Sequence, residues 1–380
     1  MRRSGFTGGF EVGMNRICQV LGRLLALLAL PCVLPVSQAQ AAVVGDVLHT
    51  PAMRAPQARQ AVLLDLARAG ARLVAVGERG IVLLSDDNGI NWRQAQVPVS
   101  VSLTAVQFVD ANTGWAVGHA GAVLVSHDGG ENWALQLDGN RAAQLELHGA
   151  REQLPTATDP DAAAARVQTA ERMVSEGADK PFLNLKFTDA RHGLIVGAYG
   201  LAFTTEDGGV SWQSLMGQID NPMGAHLYAI AQHGARWFIA GEQGYVARSE
   251  DGGQSFVALD SPYSGSFFAL QVRDDGALLA AGLKGNAFIS TDDGNSFVPA
   301  PVPMPVSFSE AIRSADGQLL LVNQAGAMFR TTGDAPTLQP FGKPLGKPIS
   351  SVVQAADGSL VLAGFTGVTR LASPTATASE

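Results

Sequence analysis

Five times along this chain a hydroxyl, a carboxylate, a glycine and an aromatic ring recur at one spacing: Ser85-Asp87-Gly89-Trp92, Ser126-Asp128-Gly130-Trp133, Thr205-Asp207-Gly209-Trp212, Ser249-Asp251-Gly253-Phe256 and Ser290-Asp292-Gly294-Phe297. Carboxylates serve acid–base and metal chemistry, but only where several ligands or a pair of acids converge. One aspartate per repeat suits a local task instead. The hydroxyl and carboxylate oxygens satisfy backbone N–H groups of a tight turn, and the glycine supplies a conformation that other residues resist. The aromatic ring then fills the space between neighbouring sheets. Asp87, Asp128, Asp207, Asp251 and Asp292, with Trp92, Trp133 and Trp212, are therefore read as structural. His119 is a lone histidine, no His/Asp/Glu cluster has metal-ligand spacing, and no phosphate loop or dinucleotide fingerprint occurs. Neither a catalytic residue, nor a metal, nor a cofactor is expected.

The frame that carries these turns repeats. VAVGERGIVLLSDDNGINW, WAVGHAGAVLVSHDGGENW, LIVGAYGLAFTTEDGGVSW, WFIAGEQGYVARSEDGGQSF and LLAAGLKGNAFISTDDGNSF follow one another, and two degenerate copies close the series at 319–334 and 360–373. The positions Gly77, Gly118, Gly197, Gly241, Gly282, Asn323 and Gly364 are equivalent, and most are 41 residues apart. The 79-residue interval between Gly118 and Gly197 contains an insertion over 139–181, without paired glycines or the aspartate turn. Each copy reads as four short strands, clearest at Leu103 to Val109, Gly114 to Gly118, Gly121 to Ser126 and Asn132 to Leu137. No such sheet buries both faces alone, so the seven must pack in a ring. The expectation is an all-β, seven-bladed β-propeller of four-stranded blades, with a helical insertion between blades 2 and 3. Residues 43–51 precede the first copy and are expected to pair into the last blade and close the ring.

Composition agrees. Of 380 residues, 46% are hydrophobic, 16% are charged and 43 are glycine, which suits many short strands joined by turns. Residues 1–41 read as a Sec-type signal peptide, with arginines before an apolar run and small residues leading to cleavage near Ala41, so the protein is expected to be periplasmic or secreted. Met14 serves as a start as well as Met1. The expected domains are this leader, a single propeller over 42–373 and a flexible tail over 374–380. Cys18 and Cys32 both lie in the leader, so no disulfide is expected in the mature chain. Cleavage removes four Arg and Glu11, leaving 22 basic and 33 acidic side chains, a net charge of −11. That surface repels phosphate backbones, so no nucleic-acid partner is expected. Neither is a membrane span after cleavage, and the chain is read as a monomer.

The aspartate turns are Asp-boxes. In phase with the form G-W-x-V-G-x-x-G, seen at Gly114 to Trp133, they make the chain resemble the photosystem II assembly and stability factor family of seven-bladed propellers, which has exported relatives in non-photosynthetic bacteria. The resemblance runs from about Leu73 to Thr369. It implies a non-catalytic scaffold that binds an envelope or membrane protein complex as an assembly or accessory factor, with an exporter of the resistance-nodulation-division class as the partner outside phototrophs. Sialidases also carry Asp-boxes, but no local sequence here matches their arginine motif, although Tyr199, Tyr228, Tyr245 and Tyr263 are present. A secreted glycoside hydrolase or carbohydrate-binding propeller is the alternative.

Asp-box turns join strands three and four on one face of such a ring, so the turns between strands two and three line the other. Those tips, from Glu78-Arg79 to Phe365-Thr366, differ from blade to blade and are the expected recognition surface. Arg79, His119, Tyr199, Glu242 and Lys284 are the candidate partner-binding residues there. Arg141 joins them from the insertion, which is read as two helices, Arg141 to Gln153 and Asp161 to Gly177, emerging on the same rim and placed to cap the central opening.

Overall fold

A copy of about 41 residues with four apolar segments cut by Gly, Asn and Asp folds as an antiparallel meander, and the computed structural model shows seven of them. It describes residues 46–333 and 337–372. The leader with Cys18 and Cys32, its cleavage site and the tail over 374–380 lie outside the described residues. The sheets span 63–94, 103–137, 182–214, 227–258, 267–299, 308–340 and 349–371. Six have four strands in sequence order, and the seventh has three among the described residues. The first strand of each blade packs against that of the next, and that of blade 7 (Ile349–Gln354) packs against that of blade 1 (Leu63–Ala69), which closes the ring.

The Asp-box is built as its chemistry requires. Ser85 Oγ donates to Asp87 Oδ1 (2.9 Å) and accepts the Gly89 N–H (2.8 Å), while Asp87 Oδ1 accepts the Asn91 N–H (2.8 Å). The same bonds recur at Ser126, Thr205, Ser249 and Ser290. The hydroxyl of Ser211 lowers the carboxyl of Asp207 to about 2, and that of Ser296 does the same for Asp292. Each ring wedges its own blade against the preceding one: Trp92 lies with Leu73, Ala355 and Val361, and Trp133 with Leu84 and Phe108. The repeated glycine has an equally local cause. A Cβ on Gly77 would overlap the carbonyl oxygen of Val62, and one on Gly118 that of Ser102. The turn that follows must lie against the start of its own first strand, where the Glu78 N–H donates to that Val62 oxygen (2.9 Å).

The first strands present polar side chains that bond across the seams. Ser350 Oγ donates to Leu63 O (2.7 Å), Thr104 Oγ1 to Phe182 O (2.7 Å) and Asn184 Nδ2 to Tyr228 O (3.1 Å). These groups satisfy backbone atoms that sheet pairing within one blade leaves over.

Two expectations change. Residues 46–50 form a turn against the linker from blade 1 to blade 2, where Ser100 N–H donates to Val47 O and Ala52 N–H to Val97 O. The described part of 43–51 therefore does not complete blade 7, because its apolar Val47 and Leu48 find a core seat beside Val97, Val99 and Val101. The insertion does form two helices, α1 (Gly139–Gln153) and α2 (Pro160–Glu176), capped by Asp138 and Asp159. They do not lie over the central opening. α1 packs along the outermost strand of blade 3 (Gln213–Ser214), with Ala142 and Ala143 buried beside Phe203 and Trp212. The apolar stripe of α2 faces α1, with Ala170 and Met173 buried and Ala165 exposed. Glu146, 1% exposed, holds the corner: it takes Arg166 Nε (2.8 Å) and Nη2 (2.9 Å) and the hydroxyl of Ser214.

Two measurements check these supports. Glu146→Ala leaves the Arg166 guanidinium without its carboxylate and is expected to cost about 3 kcal/mol, with faster proteolytic cleavage inside 139–181. Trp133→Ala empties the wedge between blades 1 and 2 and is expected to lower the urea unfolding free energy by about 3–5 kcal/mol.

Candidate functional site at the channel mouth

The turns between strands two and three hold the sequence candidates in a fixed posture. The middle residue of each turn in blades 1 to 5 has a left-handed backbone: Arg79, Ala120, Tyr199, Gln243 and Lys284 have φ between 53° and 57°. Four of these five carry long side chains in a conformation that L residues adopt at a cost of order 1 kcal/mol. Arg79, His119, Tyr199, Lys284 and Arg141 are exposed. Glu242 is half-buried, and its carboxylate pairs with His226 Nδ1 (3.2 Å). Glu78 is used similarly in blade 1, accepting the Val62 N–H (2.9 Å), so these two acids anchor turns.

Of the candidates, Tyr199 and Glu242 are brought together, joined through His226. The Tyr199 ring lies 4.8 Å from His226, His226 lies 6.2 Å from Tyr228, and Tyr228 lies 5.2 Å from Phe268. The ammonium of Lys180 sits 5.6 Å from the Tyr199 ring centre, a cation–π contact at the outer end of this arc. Arg79, His119, Lys284 and Arg141 stand on other parts of the rim, outside the arc. Burial raises the Tyr228 hydroxyl, and the Glu242 carboxylate adds to the rise. The other two tyrosines are occupied by backbone: Tyr245 donates to Asp220 O and Tyr263 to Leu283 O.

The arc leads to a cavity of about 510 Å³ over blades 5 to 7, lined by Phe268, Phe308, Ser309, Pro348, Ile349 and Phe365 among others. Phe365 is 58% exposed and Tyr199 59%, so two large rings stand in solvent on one face. Ser309 Oγ in the cavity wall is buried without a hydrogen-bond partner among the described residues. The site is thus an apolar recess with an aromatic approach and one free hydroxyl. Phe365 was visible among the variable tips. His226, Tyr228 and Phe268 were not, because they belong to linkers and first strands, where no repeated motif marks them.

Deeper in the ring, two acids flank one serine. Asp65 of blade 1 accepts Ser351 Oγ (2.9 Å), Leu66 N–H (2.8 Å) and Val106 N–H (2.8 Å), and Glu310 of blade 6 accepts Val352 N–H (2.7 Å). Burial pushes Asp65 up to about 6 against the pull of those bonds. It raises Glu310 well above the ordinary range, and the charge of Asp65 raises it further. Lys186 also lines the ring, and its amine is lowered by burial and by Arg313. Among the described residues no group of His, Cys, Asp and Glu is placed to hold a metal, and no helix is long and apolar enough to cross a membrane.

A carboxyl whose folded pKa is raised binds protons more tightly in the folded state, so its contribution is complete in acid and is lost as pH rises through the folded value. Glu310→Gln keeps an acceptor for Val352 N–H and removes a charge. It is expected to stabilise the protein by about 1–2 kcal/mol at pH 8, with the gain fading to nothing near pH 4, as read by urea unfolding across pH.

The family model described as Photosynthesis system II assembly factor YCF48 matches residues 84–148 and 164–365, breaking within the helical insertion. Photosystem II assembly lipoprotein Ycf48 of Synechococcus sp. (strain CC9902) is 34% identical over 77 residues, which make up 20% of this chain and 23% of that relative's length. Among solved structures, YCF48 bound to D1 peptide matches with a TM-score of 0.60 at 15% identity, over 84% of this chain and 94% of the other. YCF48 from Cyanidioschyzon merolae gives 0.58 at 14%, over 85% and 98%. A streptogramin B lyase gives 0.61 at 12%, over 82% and 93%. At these identities the likeness is one of fold, and a fold that also serves a lyase does not choose between binding and catalysis.

Proposed function

The chain belongs to the Photosynthesis system II assembly factor YCF48 family, and from that premise we propose that it is a non-catalytic propeller scaffold that holds a segment of a membrane protein at its channel mouth during assembly or operation of a complex. The observation that carries this reading is the pairing of exposed Tyr199 and Phe365 with an apolar recess on one rim. Exposed rings beside a pocket are what a peptide anchor requires: large apolar area at small entropic cost. A relative was solved with a D1 peptide, which supports a peptide segment as the ligand type. Within this reading the leader exports the chain to the periplasm by cleavage near Ala41, and the mature protein works as a monomer. The partner class we assign outside phototrophs is an exporter of the resistance-nodulation-division type, on the resemblance alone.

Site-specific photocrosslinking tests the face. A crosslinker at Phe365 in cells is expected to capture one integral membrane protein, and one at Val210, 77% exposed on the Asp-box face, is expected to capture none. Tyr199→Ala should lower the Phe365 yield by roughly tenfold, the scale expected for an aromatic anchor. Capture from Val210 alone, or glycan turnover by the purified protein, would sink the proposal.

A further inference from the structure

The seam between blades 6 and 7 lacks the part that fills most of the others. In blades 1 to 5 the box aromatic wedges each blade against its predecessor, with Trp92 seated among Leu73, Ala355 and Val361. One blade back around the ring, the residues equivalent to those three are Leu360, Ser314 and Leu320, by the shared repeat frame. All three line an open cavity of about 470 Å³ on the Asp-box side. Blade 7 has no Asp-box, and among the described residues it has no fourth strand. Its third strand, Gly367–Leu371, therefore has no strand on its outer side among the described residues, although the turn Ala58–Gln60 packs at its start. Blade 6 has lost its box too, but there Leu338 is buried in the core it shares with blade 5.

We infer that this seam is a second docking site, which takes an extended segment of another protein consisting of an aromatic residue followed by a short strand. The strand would pair antiparallel to Gly367–Leu371, as the fourth strand does in every other blade, and the ring would enter the cavity. The form of the occupant is given by the molecule itself, since the neighbouring seam shows an indole in the equivalent seat with its N–H bonded to Gly89 O (3.0 Å). Phe341 supplies an aromatic wall, and Arg330 lies 5.7 Å from its ring. The charges at the rim are neutralised in pairs, Arg330 with Asp316 and Arg370 with Asp357, which suits an apolar ring. The box rings of blades 1 to 5 are committed to their own seams, and residues 372–380 contain no aromatic.

The probe is a fluorescent peptide copying Ser126 to Asp138 of this chain, which carries the blade 2 box and its fourth strand. Titrated with the purified full-length protein, it is expected to bind saturably. The same peptide with Trp133→Ala should bind at least roughly tenfold more weakly, the scale of one buried indole. In the protein, Ser314→Phe plugs the seat and should weaken the parent peptide as much while the melting temperature holds. No binding, equal binding of the two peptides, or indifference to Ser314→Phe overturns the inference; the peptide pair decides even if the plugged variant folds poorly. Binding that appears only after residues 373–380 are deleted assigns the edge to the chain's own end and equally overturns a partner. Failure here leaves the channel-mouth reading standing, because the two sites lie on opposite faces.

Discussion

A ring of seven sheets stands or falls on its seams. Within a blade the backbone bonds itself, and apart from short backbone bridges from the linkers, such as Gln96 to Asn132 and Ile219 to Phe256, a four-stranded meander is held to its neighbour by side chains that reach across. Here two sets do so. On the Asp-box side a ring from one blade enters the apolar face of the previous one, positioned by a turn whose own bonds fix it. Toward the axis, serine, threonine, asparagine and two carboxyls bond to the next blade's backbone. The wedges add apolar burial between blades, and the polar contacts fix the register of strands that share no ladder.

The carboxyls in that inner set show how closure shapes electrostatics. Asp65 and Glu310 belong to blades 1 and 6, so only ring closure brings them to the two sides of Ser351. Each is recruited by a backbone N–H of the following blade, and the same position is Asn184 in blade 3, where an amide does comparable work without charge. Negative charge at the closing seam is thus a by-product of a position that must bond across the gap.

Much of the frame was legible in the sequence because its parts are local. A serine four residues before a glycine, an aspartate between them and a ring three residues on specify one turn, and its repetition specifies the blades. The helices over 139–176 were legible for the same reason, in their local composition. What stayed hidden depends on partners distant in the chain. The place of 43–51 ahead of the first copy suggested a strand that closes the last blade, but position in the chain does not decide which edge a segment meets, and Val47 and Leu48 found the core beside Val99. The insertion leaves on the mouth side, yet the Glu146 carboxylate draws it to Ser214 at the outer edge. His226, Tyr228 and Phe268 come from two blades and a linker, so only the folded ring makes them neighbours.

The left-handed turn residues on the rim have a consequence for how such a surface changes over time. Arg79, Tyr199, Gln243 and Lys284 are presented by nearly superimposable backbone, each turn locked to the start of its own first strand. A ligand meeting them has little loop motion to arrest, so the ordering penalty of association is already met when the ring folds. Exchanging one of these side chains alters the chemistry offered at a fixed point in space while the backbone that presents it stays in place. The rim therefore behaves as a set of independent sockets, on which new specificities can be assembled one residue at a time.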